Sequence, residues 1–93
     1  MTMIALALAL AAAGQMPDLE RSIDTYKALV IESQKTGDTS WLPTAANNVC
    51  RIAYRYTLLG DDGASTDAIV AYNGPNADRL KLTCSLYFQV RAQ

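Results

Sequence analysis

The sequence predicts a small α+β domain, with one N-terminal amphipathic helix packed on a small, mostly antiparallel three-stranded sheet. Three observations predict it. Leu19, Ile23, Tyr26 and Val30 fall at i, i+4, i+7 and i+11, a single helical stripe. Leu80, Leu82, Cys84, Leu86, Phe88 and Val90 occupy every second position, the period of a half-buried strand. Cys50, Ile52, Tyr54, Tyr56 and Leu58 repeat that alternation with aromatic and β-branched residues enriched.

The chain opens on Ile4 to Ala13, an uncharged run of alanine and leucine followed by Gly14-Gln15. A secretory hydrophobic region is typically about 7–15 residues long and ends in small residues. Residues 1–13 therefore read as a signal peptide and residues 14–93 as a single small domain. The run is too short to span a bilayer, which takes roughly 20 apolar residues. Met1-Thr2-Met3 lacks the basic residues usual at a signal start, and the alternative is a buried Ala/Leu helix. The expected location is periplasmic or secreted, with no transmembrane segment.

Pro17 to about Lys35 is the clearest element. Proline suits a first helical turn, where its missing N–H costs nothing. Asp18, Glu20 and Asp24 lie toward the positive end of the dipole and Lys35 toward the negative end. Thr36-Gly37-Asp38 stops the helix. Between Ser40 and Asn48, Pro43 and Asn47-Asn48 discourage a long element, although Thr44-Ala45-Ala46 allows one helical turn. Trp41 and Leu42 are expected to anchor this connection to the core.

Val49 to Leu59 reads as the first strand. The helical alternative would align Arg51 and Arg55 on a narrow polar face. Gly60-Asp61-Asp62-Gly63-Ala64-Ser65 is a turn by composition. Ala68 to Tyr72 is a short apolar run ended by Asn73-Gly74-Pro75-Asn76. Arg79 to Arg91 reads as the last strand, its helical alternative aligning Lys81, Ser85 and Gln89.

An exported chain with two cysteines predicts a bridge between Cys50 and Cys84. In a reducing compartment they would instead be free buried thiols. A disulfide needs Cα atoms about 4.4–6.8 Å apart, so on a sheet the last strand must lie beside the first.

Net charge is −1 and histidine is absent. Neither a Ser-His-Asp nor a Cys-His nucleophile can be built, nor a zinc site with imidazole ligands. Two cysteines are too few for an all-thiolate site. No cofactor and no metal are expected, and nothing in the charge balance points to nucleic acid. Asp61, Asp62 and Asp67 bracket Gly63 but lack the alternate spacing of a calcium loop. Tyr54, Tyr56 and Tyr72 are expected in the core.

Arg51, Arg55, Arg79, Lys81 and Arg91 all lie on or at the ends of the two alternating segments, which contain no acid. In the strand register they face away from the core, with Tyr87 among them. This basic sheet face is the expected binding surface for an anionic envelope component or an acidic partner protein.

Asp67 to Pro75 resembles the Ala-Ala-Tyr-Asn-Ala-Gly-Pro segment of lytic transglycosylases. Leu42-Pro43-Thr44-Ala45 resembles their Met-Pro-x-Thr-Ala stretch, and Glu32-Ser33 their catalytic Glu-Ser pair. The resemblance implies an all-α, lysozyme-like fragment acting on peptidoglycan. Glu32 would be the acid, with Tyr72 and Asn73 shaping a sugar cleft. The family's Gly-rich segment is missing, and the interval between Glu32-Ser33 and the Pro43 stretch is much shorter than in the family. The expected function from the residues themselves is a small exported, non-catalytic binding domain. A degenerate or active peptidoglycan enzyme is the alternative.

Overall fold

Leu19, Tyr26 and Val30 are all fully buried or nearly so, and they form the apolar face of helix α1, Pro17–Thr36. This helix starts and ends where the sequence places it. Gly37 closes it in the left-handed conformation (φ 79°), its N–H donating to the Ser33 carbonyl at 2.8 Å. Ser22 and Ser33 share the buried face without cost, because each hydroxyl donates at 2.7 Å to a carbonyl three residues back.

The remainder of the chain departs from the predicted layer. The computed structural model describes residues 16–92. After α1 come α2 (Leu42–Leu58), α3 (Ala64–Ala71) and α4 (Ala77–Ala92). No strand occurs among the described residues. The three-stranded sheet, and with it the basic sheet face, is overturned. Of the two fold classes that the sequence raises, the all-helical one is found. The predicted signal peptide, residues 1–13, lies outside the described residues.

α2 is the hub, packing against all three other helices. It runs antiparallel to α1, so that Asp18 and Arg21 share a groove with Ile52 and Arg55 while Leu29 sits near Leu42. It begins at Leu42, with Pro43 in the first turn. The rule that admits Pro17 also admits Pro43, and the asparagines point outward from a continuous helix. Leu42, Ala46, Val49, Cys50 and Ala53 are buried at helical spacing. Ala46 and Ala53 are small enough for close approach of the neighbouring helices. Leu42 anchors the core as expected. Trp41 does not: it is 65% exposed.

α4 lies parallel to α2. Cys50 and Cys84 are joined, with Cα atoms 4.9 Å apart, and Tyr54 packs edge-on against Phe88 four residues further along each helix. The bridge thus links two neighbouring helices rather than two neighbouring strands. Asp61 caps α3, its carboxylate accepting the N–H groups of Gly63 and Ser65 at 3.0 and 3.2 Å. The buried Ser65 hydroxyl meets Thr57 at 3.0 Å. The turn from Asn73 to Asn76 crosses to α1, where Tyr26 packs edge-on against Tyr72 with ring centres 6.2 Å apart. Gly74 makes that turn possible: a β-carbon there would lie 2.7 Å from the Tyr72 ring. Tyr72 can therefore fold back and donate to the Pro75 carbonyl at 2.8 Å.

Candidate functional site

The helical fold redistributes the six predicted site residues. Arg51 and Arg55 are one turn apart on the exposed face of α2. Thr44 and Asn48 precede them at the same helical spacing, so α2 carries one polar stripe from end to end. Asn48 accepts a hydrogen bond from the Arg51 guanidinium at 2.7 Å, which holds that side chain along the helix surface.

Two grooves flank the stripe. On the α1 side, Arg21 and Thr25 line a polar groove with Asn48, Arg51 and Arg55. On the α4 side, Tyr87 and Arg91 line a second groove with Thr44, Asn47, Asn48 and Arg51. Asn48 and Arg51 belong to both, so the two grooves form one continuous surface. Four of the chain's five arginines, Arg21, Arg51, Arg55 and Arg91, lie on it.

Arg91 is held by an aromatic scaffold. Its guanidinium sits 4.6 Å above the Tyr87 ring centre. Tyr87 in turn packs edge-on against Tyr54 of α2 at 6.1 Å. Tyr54 is thus a half-buried support for the site. The opposing charge in the grooves is Asp18, which lies 3.5 Å from Arg21 across an exposed pair. Such a pair contributes little, about 0–1 kcal/mol, and leaves the surface strongly cationic.

Lys81 does not join this surface, and Arg79 lies at its margin. Arg79 lines a third groove with Pro43, Asn47, Asn76 and Thr83 at the start of α2, which adjoins the Tyr87/Arg91 groove at Asn47. Lys81 lies beside α3, where Thr66, Ile69, Val70, Ser85 and Phe88 line a narrow apolar slot. Strand alternation placed them beside Arg91, whereas a helix turns them about 100° per residue away from it. Arg21 is absent from the predicted face because nothing local in α1 distinguishes it. Only the antiparallel packing of α1 on α2 carries it to Arg51 and Arg55.

Of the residues that resemble transglycosylase positions, Glu32, Ser33 and Leu42 share one groove, while Tyr72 and Asn73 do not line it. Glu32 is exposed and lines a groove with Leu29, Thr36, Asp38 and Trp41 between the end of α1 and the start of α2. The Ser40 hydroxyl and backbone N–H both donate to Asp38, which lowers its pKa. Tyr72 and Asn73 belong to the turn that packs on Tyr26. Burial raises the pKa of Tyr72, and the neighbouring Tyr26 adds to the rise. Burial also raises the pKa of Tyr26, against the opposing effects of Asn76 and Arg79. Asp61, the first of the three acids around Gly63, is committed to capping α3. Among the described residues no cluster of carboxylates or thiols is arranged to hold a metal ion, and no helix is long and apolar enough to cross a membrane. No family model, curated protein or solved structure matches this chain.

Proposed function

We propose that this protein is an exported, non-catalytic binding module. Its arginine surface on α1, α2 and α4 receives an anionic envelope component or an acidic partner surface. The observation that carries the reading is the convergence of Arg21, Arg51, Arg55 and Arg91 on one continuous pair of grooves with Asp18 as the opposing carboxylate. Guanidinium groups offer planar donor pairs suited to carboxylate and phosphate oxygens. Tyr87, Asn47 and Asn48 add neutral hydrogen-bonding groups. Export is supported by the apolar run from Ile4 to Ala13 and by the Cys50–Cys84 bridge.

The fold makes this reading sharply testable, because it separates two cations that strand alternation would have grouped. Arg55→Glu is expected to weaken capture of a soluble polyanion such as polyglutamate by about tenfold at low salt, and the loss should shrink as ionic strength rises. Lys81→Glu, on the α3 side of α4, should change capture less than twofold by the same order-of-magnitude reasoning. Titration by fluorescence anisotropy at two salt concentrations checks both. Equal losses from the two variants would mean net charge, not this surface, is responsible.

A second reading retains Glu32 as a wall-cleaving acid. It is favoured by the helical fold and by the exposed Trp41 in the same groove. Burial against apolar walls is what equips a carboxyl group to act as a general acid, and Glu32 is exposed, so the binding module is the better-supported reading. Under the second reading, purified protein incubated with cell-wall sacculi would release anhydro-muropeptides, and Glu32→Gln would abolish the release. No release from the unmodified protein removes this reading.

A further inference from the structure

We infer that the anionic partner of the arginine surface is a lipid bilayer, onto which α2 docks side-on at the level of the head groups. The inference rests on the binding-module reading above and names the partner class. Its starting point is the end of the arginine stripe. Leu58 and Leu59 follow Arg55 at i+3 and i+4, on the same face of the helix. Leu58 is the last residue of the helix and Leu59 its C-cap, one residue beyond (φ −87°, ψ 2°).

These leucines are 69% and 77% exposed, although apolar positions elsewhere on α2 are buried or half-buried. Large apolar side chains grouped beside cations in open solvent call for a partner that is apolar and anionic at once. A bilayer interface offers phosphate oxygens at the surface and hydrocarbon a few ångströms below. Arg51 and Arg55 would pair with head groups while Leu58 and Leu59 enter the acyl boundary. Arg21 and Arg91 extend the cationic surface on either side. Asp61, next along the chain, is turned back to cap α3. The exposed Asp62 follows it and, with Asp18, is outnumbered by the four guanidinium groups. The surface carries an unbalanced positive charge, each unit of which favours an anionic leaflet.

The test uses the full chain in three assays: cosedimentation with phosphatidylglycerol/phosphatidylcholine vesicles, cosedimentation with phosphatidylcholine vesicles, and binding to soluble polyglutamate. The expected result is salt-sensitive binding to the anionic vesicles and weak binding to the neutral ones. Arg51→Gln/Arg55→Gln should weaken vesicle binding by about fivefold per guanidinium removed, and polyglutamate binding as well. Leu58→Ser/Leu59→Ser should weaken vesicle binding by about tenfold and leave polyglutamate binding intact, which no purely electrostatic surface would do. Both pairs are exposed, and far-UV circular dichroism verifies that the helices persist. Vesicle binding unchanged in the leucine variant overturns the inference, and this covers binding carried by the apolar residues 4–13. Polyglutamate binding without vesicle binding also overturns it, pointing to an acidic protein partner and leaving the binding-module reading in place. Binding to neither ligand removes both.

Discussion

Opening the Cys50–Cys84 bridge is expected to remove about 4 kcal/mol of folding stability, the chain-entropy cost of releasing a closed loop of this size. The two cysteines are 34 residues apart in sequence, and the loop they close contains the C-terminal end of α2, all of α3 and the turn that packs on Tyr26. Small domains are marginally stable, typically by about 5–15 kcal/mol, so the loss takes a large share of the total. Cys50 is fully buried and Cys84 is 4% exposed, so a Cys50→Ala/Cys84→Ala variant avoids burying two unpaired hydroxyls. At about 4–8 °C per kcal/mol for a domain of this size, its thermal midpoint should fall by roughly 15–30 °C. Thermal unfolding of the variant, and of the native protein with and without reductant, measures the effect. A shift under about 5 °C would mean helix packing alone holds α4 to α2. Intact mass before and after thiol labelling of protein made in its native host adds two readouts. It reports whether the bridge forms there and whether residues 1–13 have been removed.

The second large effect is a contrast between two leucines two residues apart. Leu80→Ala is expected to cost about 2–5 kcal/mol, because it opens a cavity in the core. Leu82→Ala is expected to change stability by no more than about 0.5 kcal/mol, as for other exposed positions. Leu80 is fully buried and Leu82 is 61% exposed. Urea unfolding of both variants checks this. Were residues 79–91 a strand with one buried face, both substitutions would cost alike, so equal losses would contradict the helix directly.

That contrast also explains why the carboxyl-terminal rhythm misled. Six apolar residues at every second position can be divided into two ladders with a spacing of four. Leu80, Cys84 and Phe88 form one, and Leu82, Leu86 and Val90 form the other. On a helix the two ladders lie about 160° apart. The first packs against α2 and α3, with Leu80 and Cys84 buried, while Leu82, Leu86 and Val90 are 61%, 52% and 64% exposed. An unbroken alternation is therefore the signature of one strand face or of a helix apolar on two sides. α2 deceived differently. It is contacted by three helices, so its apolar residues cover most of its circumference, and the narrow Arg51/Arg55 stripe fits a helix and a strand alike.

The candidate site was legible in part. The pairing of Arg51 with Arg55 survives either secondary structure, because four residues apart is one face of a helix and also one face of a strand. Arg91 and Tyr87 lie near them because the disulfide and the aromatic contacts set α4 beside α2 in parallel. Lys81 belonged to the predicted face only through the strand period and leaves it when the period changes, while Arg79 moves to its margin at Asn47.

By itself the sequence determined the boundaries of α1, the cysteine pair, and the absence of histidine chemistry, since each depends on residue identity or on a pattern confined to one helix. Only the tertiary structure decided that the other segments are helices, that Arg21 completes the cationic surface, and that Lys81 stands apart from it. Secondary structure in an apolar segment is settled by what its side chains are buried against. Here that partner is α2, a helix contacted on three sides, and no local window of residues contains this information.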